Sequence, residues 1–349
     1  MKVLFDHQIF QAQKYGGISQ YFSELHKRLP DSDIAISYSR NGYIDYPVTE
    51  LPKQKYLGMA GFYLIDYINQ QNTTRRLSED FNIFHPTYYN PYFLKHLHDK
   101  PYVFTVFDMA HEKYPEMFGD AATVIRNKKL VVENATRIIA ISQSTKDDML
   151  QEYEIDTNKI TVIYLATSLT PSLNPAPSDN RYILYVGSRD ARYKGFYEFA
   201  KATGRLLRED RNLHVVCAGG GAFTNEEIAM FYPDVQSQVH QVPYDTNDRL
   251  ARLYQQADVF VFPSIIEGFG IPQLEAMACE CPIACNNIPV FREIAGNVAE
   301  YFDVSDIDSI RNAINRATAI RRSGKRRAEC FSWDKMAEQT MKVYESCLQ

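Results

Sequence analysis

Short apolar runs followed by longer mixed segments set the rhythm of the first half of the chain. Val3 to Phe5, Ile34 to Tyr38, Ile83 to His85, Tyr102 to Phe107 and Arg137 to Ala140 are read as strands. Strands alternating with helices in this way predict a parallel sheet. Apolar residues recurring at three and four positions predict helices over Ile18 to Arg28 and Thr123 to Asn134. Ser144, with Asp147 three residues later, marks the start of another short helix by a weak capping-box pattern.

The rhythm breaks over Thr167 to Arg181, where TSLTPSLNPAPSDNR supplies three prolines and many turn residues. It restarts with strands at Tyr182 to Val186, Leu213 to Cys217 and Val259 to Phe262, and helices near Phe196 to Glu209 and Asn247 to Gln256. The expectation is a first α/β domain over 1–168, a linker over 169–180 and a second α/β domain over 181–330. A final helix over 331–349 follows, with Ser332 or Asp334 near its start. Ile307 to Arg327 reads as helical, and Arg321, Arg322, Lys325, Arg326 and Arg327 as its solvated face.

With 349 residues, 45% hydrophobic and 23% charged, the composition is globular and fits two cores better than one. The net charge of −5 leaves no global basic field to attract nucleic acid, so any anionic ligand is held locally. MKVLFDHQIF reads as a first strand and not as a signal peptide, which predicts a cytoplasmic protein. Tyr56 to Ile65 (YLGMAGFYLI) is too short to span a bilayer and is read either as a partly buried helix or as a surface touching lipid. The six cysteines have no zinc-like spacing and are read as free thiols, several of them buried.

The strongest chemical signal begins at Val259, in VFVFPSIIEGFGIPQLEAMAC. A strand runs into a turn, and Pro272 sits where a helix can begin. Gly268 and Gly270 permit tight backbone geometry beside the unpaired N–H groups of that helix, which are suited to a diphosphate. Glu275, in the first turns of the helix, is placed to accept hydrogen bonds from ribose hydroxyls. Glu267 faces a sugar hydroxyl or the reacting centre; the structural alternative is that both carboxylates only favour the helix N-terminus.

A second signal, YVGSRDARYKGF, follows the first strand of the second domain and offers Arg189 and Lys194 to neutralise a leaving diphosphate. A third, KYGGISQYF, places Gly16 and Gly17 before an amphipathic helix of the first domain, where their N–H groups can meet an anion. His85, Asp108 and His111 end or follow strands, positions that line the crevice of doubly wound sheets. Asp108 and His111 are the candidates for proton transfer or polar contact, and His85 is read first as a hydrogen-bonded structural residue.

These signals together resemble the retaining glycosyltransferases with two facing Rossmann-like domains, known as family four of the GT-B fold. The resemblance covers nearly the whole chain and rests on EGFGIPQLE (Glu267 to Glu275), SRDARYKG (Ser188 to Gly195) and Gly16-Gly17. It implies a nucleotide-sugar donor, with GDP-mannose first and UDP- or dTDP-sugars next. It also implies a saccharide or lipid-linked saccharide acceptor held by the first domain, a final helix packing back on that domain, and peripheral contact with the inner face of the membrane.

By the same likeness Glu275 contacts ribose, Glu267 lies near the transferred sugar and Lys194 supports the diphosphate. Ser188 and Arg189 stand in the phosphate loop, and the backbone at Phe269 and Gly270 meets sugar or phosphate oxygens. No metal and no tightly bound cofactor are implied, and Asp31-x-Asp33 and Asp306-x-Asp308 are read as turn and capping residues. Two departures stand out. Ser188 occupies the position where many members have arginine, and Phe107 occupies the position of the active-site histidine. A nucleotide-sugar-binding homologue without transfer, or an epimerase or phosphorylase of the same fold, is the alternative.

Overall fold

Residues 1–44, 49–50, 58–173 and 181–349 are described by the computed structural model, and they divide into two units. The first comprises Met1–Leu165 and Trp333–Gln349; the second is Ala166–Ser332. Most of the expected linker, and the start of the Tyr56 to Ile65 segment, lie outside the described residues.

The first unit carries β1 (Val3–Phe5), β2 (Ser32–Ile34), β3 (Tyr38–Ser39), β4 (Thr49–Glu50), β5 (Ile83–His85), β6 (Val103–Val106), β7 (Arg137–Ala140) and β8 (Ile160–Val162). Two parallel three-stranded sheets, β2-β1-β5 and β6-β7-β8, are tied by a bridge between Phe84 and Tyr102. β3 and β4 form a separate parallel pair. All four residues of β6 are buried, as expected of a parallel strand covered on both faces.

The run Ile34 to Tyr38, expected as one strand, is split. Asn69 Oδ1 accepts from the backbone N–H of Ser37 (2.9 Å) and Tyr38 (3.0 Å), which diverts these donors from a ladder. The helix Gln143–Glu152 is capped by Ser142 rather than Ser144, through a 2.9 Å bond from the Thr145 N–H to the Ser142 hydroxyl. Such a cap stabilises by about 1 kcal/mol.

The last helix, Trp333–Ser346, packs on the helix Gly17–Arg28 of the first unit. Trp333, Met336, Val343 and Tyr344 form its buried stripe, and burying each such side chain contributes roughly 1.5–3 kcal/mol. Arg28 Nε donates to Asp334 Oδ1 at 2.6 Å beside this contact.

The second unit is a six-stranded, wholly parallel sheet: β9 (Arg181–Val186), β10 (Leu213–Ala218), β11 (Val239–Val242), β12 (Val259–Phe262), β13 (Ile283–Asn286) and β14 (Glu300–Phe302). The order β11-β10-β9-β12-β13-β14 is that of a doubly wound Rossmann sheet. The chain leaves β9 in one direction and returns at β12 in the other, so the topological switch point lies between them. Helices Phe196–Glu209 and Ile307–Ile320 supply Phe199, Leu207, Ile310 and Ile314 to the core. The helix expected to continue to Arg327 stops at Arg321, whose φ of 47° is left-handed, and a short helix, Lys325–Ala328, follows. Arg321 and Arg322 therefore lie outside both helices. Arg327 is engaged by the carbonyls of Ile294 and Glu293 at 2.8 and 2.6 Å and does not stand on a solvated face. Asp306 caps Ile307–Ile320 through the N–H groups of Asp308 and Ser309.

All six cysteines are free thiols, and Cys217, Cys279, Cys281 and Cys285 are buried. No described helix is long and apolar enough to cross a membrane.

Candidate functional site

In the second unit, the loops leaving β9 and β12 meet at the switch point, where open α/β sheets bind ligands. Gly195 fixes their approach. It is left-handed (φ 65°), and a Cβ there would lie 2.3 Å from the Pro263 carbonyl oxygen. The Ile265 N–H donates to the Tyr193 carbonyl at 2.7 Å, joining the two loops by backbone. That junction brings Lys194 to Glu267, with Nζ and Oε1 2.6 Å apart and both side chains mostly buried.

Gly270 begins the helix Ile271–Ala278 in the left-handed region (φ 87°), with Phe291, Gln273 and Phe262 all within 3.1 Å of where a Cβ would stand. Phe269 is buried edge-on against Phe331, and its carbonyl accepts from Gln273 Nε2 at 3.2 Å. Gly268 is also buried. Two buried polar atoms beside this turn, Ser264 Oγ and Gln273 Oε1, have no hydrogen-bond partner among the described residues.

Glu275, one turn into the helix, accepts from the Tyr254 hydroxyl at 3.1 Å. Burial pushes its carboxyl up to about 7, against the lowering effect of the Tyr254 bond. An ionised carboxylate there accepts hydrogen bonds from hydroxyls through both oxygens, whereas the protonated form turns one oxygen into a donor and keeps the other as acceptor.

Arg189 does not join this group. Its guanidinium turns inward onto the carbonyls of Gly219, Gly220, Gly221 and Ala222, pairs with Glu227 (Nε to Oε1, 3.2 Å) and stacks on Phe223. The expectation that it reaches donor phosphates is corrected on this ground: the side chain is fully buried and its donors are spent on the protein. Ser188 is exposed, and its hydroxyl donates to Asp190, which lowers that carboxyl below its ordinary range.

In the first unit, Gly16 and Gly17 open the helix Gly17–Arg28 as expected. Gln13 Oε1 accepts from the Ser19 N–H at 3.2 Å and lies against Gly16, so a protein amide covers part of this helix end. Asp108 follows β6, accepts from the Ala110 N–H at 3.0 Å and offers its carbonyl to Lys128. His111 is stacked on Phe118 (centroids 4.2 Å apart) with Nε2 3.8 Å from Asp120 Oδ1. Burial lowers its pKa, which favours neutral imidazole. Its Nδ1 is buried without a hydrogen-bond partner among the described residues.

His85 is a structural residue. Nδ1 lies 2.6 Å from the Tyr344 hydroxyl and Nε2 2.9 Å from Thr105 Oγ1, and burial lowers the imidazole to about 3. Phe107 is buried edge-on against Tyr21 and Phe22.

Two polar clusters escaped the sequence reading. Glu112 and Lys128 form a buried pair at 2.8 Å, with Tyr153 donating to Glu112 at 2.5 Å; the signal was a lysine three residues before Val131 on the apolar stripe of its helix. Asp6, directly after β1, is fully buried and accepts from the Thr87 N–H and hydroxyl, Gln8 and Tyr92. Its signal was position, a carboxylate at the carboxyl end of a central strand.

Comparison with known proteins covers both units. Residues 171–330 match the family model of glycosyl transferases group 1, and residues 15–170 match that of glycosyltransferase family 4. The O-antigen chain mannosyltransferase RfbU of Salmonella typhimurium is 30% identical over 213 residues, which is 60% of this chain and 59% of that protein. The match thus spans less than two thirds of the relative's length. Among solved structures, sucrose-phosphate synthase of Thermosynechococcus elongatus superposes with a TM-score of 0.76 at 19% identity, covering 99% of this chain and 98% of the other. HepE of Anabaena, in complex with UDP and glucose, gives 0.72 at 16%, covering 99% and 100%. At these identities the structural likeness concerns the fold.

Proposed function

Because the chain belongs to the GT-B glycosyltransferases of group 1 and family 4, we propose that it transfers a sugar from a nucleotide-sugar donor to a saccharide or lipid-linked saccharide. The observation that carries this reading is the Lys194–Glu267 pair at 2.6 Å, held at the switch point of a Rossmann sheet with Glu275 on the adjoining helix. Lys194 neutralises the leaving diphosphate, and exchanges Glu267 for phosphate oxygen as charge grows there. Glu267 orients the transferred sugar, Glu275 accepts the ribose hydroxyls, and the backbone at Gly268, Phe269 and Gly270 meets sugar and phosphate oxygens. Ser188 borders the same loop.

The second unit is the donor domain in this reading and the first holds the acceptor, where Asp108 and His111 serve its hydroxyl and Gly16 and Gly17 offer their amides to an anionic group. Transfer retains the anomeric configuration by front-face attack, the departing phosphate taking the acceptor proton, because no carboxylate stands out as a nucleophile. Lys194 and the helix end take the electrostatic role that a metal plays elsewhere. The donor is GDP-mannose, a choice supported by the likeness to the Salmonella mannosyltransferase, and the product belongs to surface polysaccharide synthesis.

The protein works in the cytoplasm at the inner face of the membrane. Phe62, Tyr63, Leu64 and Tyr67 are exposed on the helix Gly58–Arg76, and such an apolar patch supports peripheral attachment. A second reading, donor binding without transfer, is favoured by one observation, the apolar packing of Phe107 where the family histidine stands. Titration of GDP- and UDP-sugars by calorimetry, beside transfer of labelled sugar to a lipid-linked oligosaccharide, separates the two. Binding with transfer supports the first reading, and binding without transfer the second.

A further inference from the structure

Three consecutive glycines, Gly219, Gly220 and Gly221, follow β10 with φ of 86°, 69° and 74°. A run of three left-handed residues is open only to glycine, because a Cβ there costs about 1–2 kcal/mol per residue. Arg189 holds the run from one side. Nη1 donates to the Gly219 carbonyl at 2.7 Å, and Nη2 to those of Gly220, Gly221 and Ala222 at 3.3, 2.8 and 3.3 Å. Glu227 balances the guanidinium and also accepts from the Thr224 N–H at 2.8 Å.

Trans peptides carry C=O and N–H on opposite sides, and no cis peptide occurs among the described residues. With the carbonyls of Gly219, Gly220 and Gly221 drawn to Arg189, the N–H groups of Gly220, Gly221 and Ala222 point away from it. These three N–H groups make no hydrogen bond to any described residue. The turn is exposed, and a Cβ on Gly221 or on neighbouring Gly187 would meet nothing within 4 Å. The turn stands at the carboxyl end of β10, one strand from the Lys194 loop, with Gly187 and Gly219 in near contact.

Successive backbone N–H groups aimed into one space form an anion-binding nest. A cation against the carbonyl side of the same peptides polarises them and strengthens the N–H donors. We propose that the amides of Gly220, Gly221 and Ala222 form a phosphate-oxygen site, and that Arg189 is the positioning residue that holds it from behind. The phosphate comes from the donor diphosphate or from a phosphorylated acceptor; the first source rests on the donor reading given above. Arg189 thus serves an anion without touching it, which accounts for a fully buried arginine beside a ligand loop.

The test deletes one donor. Ala222→Pro removes a single N–H at an exposed position, and its affinity for GDP and UDP, and separately for inorganic phosphate and glycerol phosphate, is measured by calorimetry beside wild type and Lys194→Ala. Loss of one charge-assisted bond should weaken binding roughly tenfold or more. Weakened nucleoside diphosphate binding assigns the donor as source, and weakening confined to the simple phosphates assigns the acceptor.

Arg189→Met/Glu227→Gln, which removes both charges together, is the second variant should the proline disturb folding. It should raise the donor KM about tenfold with a much smaller change in kcat, the sign of lost uniform binding. Unchanged affinity of the folded variants for every probe would overturn the site, and a loss in Lys194→Ala alone would leave the donor reading standing. Absence of all binding to wild type would overturn both.

Discussion

Replacing Glu275 by Gln tests the environment of the site through stability as well as binding. Its carboxyl titrates near 7 in the folded protein against an ordinary value of 4.5, because burial disfavours the charge more than the Tyr254 hydrogen bond favours it. A group whose pKa is raised on folding contributes stability that is fully present below its unfolded pKa and is lost as pH rises through the folded one. The shift corresponds to about 3 kcal/mol, of which about 2.5 falls between pH 5 and pH 8. Glutamine has no such titration. Urea unfolding followed by circular dichroism across that range should therefore show wild type losing about 2.5 kcal/mol relative to Glu275→Gln as pH rises. In the proposed ribose-binding role, ionisation is what frees both carboxylate oxygens to accept hydroxyls, so donor binding to wild type should tighten as pH rises through 7 and take this dependence from Glu275. A wild-type-minus-variant difference that stays constant from pH 5 to pH 8 would show that burial does not raise the Glu275 carboxyl.

Lys194→Ala should lower turnover by roughly 10²-fold with a smaller change in donor affinity, and Glu267→Gln should bind donor yet turn over slowly, both read by calorimetry beside steady-state kinetics. Lys128→Met leaves Glu112 buried and unpaired and should cost about 3–5 kcal/mol in urea unfolding. Tyr344→Phe removes the hydroxyl that meets His85 and should cost about 1 kcal/mol, measured in the same way. Tyr63→Ser/Tyr67→Ser should weaken sedimentation with anionic vesicles while leaving the thermal midpoint within about 2 °C, because both side chains are exposed.

The alternation of strands and helices was legible because buried parallel strands leave apolar runs that no neighbouring helix imitates. β1, β5 and β7 coincide with their expected bounds. The break inside Ile34 to Tyr38 was not legible, because Asn69, more than thirty residues away, takes the backbone donors. Lys194 and Glu267 stood out by their loops, and the structure brings them together. Arg189 misled for a physical reason. A loop arginine after a strand has the same local sequence whether it faces solvent or turns inward, and what turns it inward is Glu227 and the carbonyls of Gly219 to Ala222. The run Gly219 to Gly221 was not singled out in the sequence, because its meaning depends on which side of each peptide Arg189 occupies.

In the proposed reaction the Lys194, Glu267 and Glu275 site takes a nucleotide sugar and breaks its sugar–phosphate bond. A panel of GDP-, UDP- and dTDP-sugars, each scored for binding and for nucleotide release by the wild-type protein, tests it most directly. One preferred donor, GDP-mannose, is expected, with nucleotide release that is lost in Lys194→Ala. A flat response across all the nucleotide sugars would contradict it.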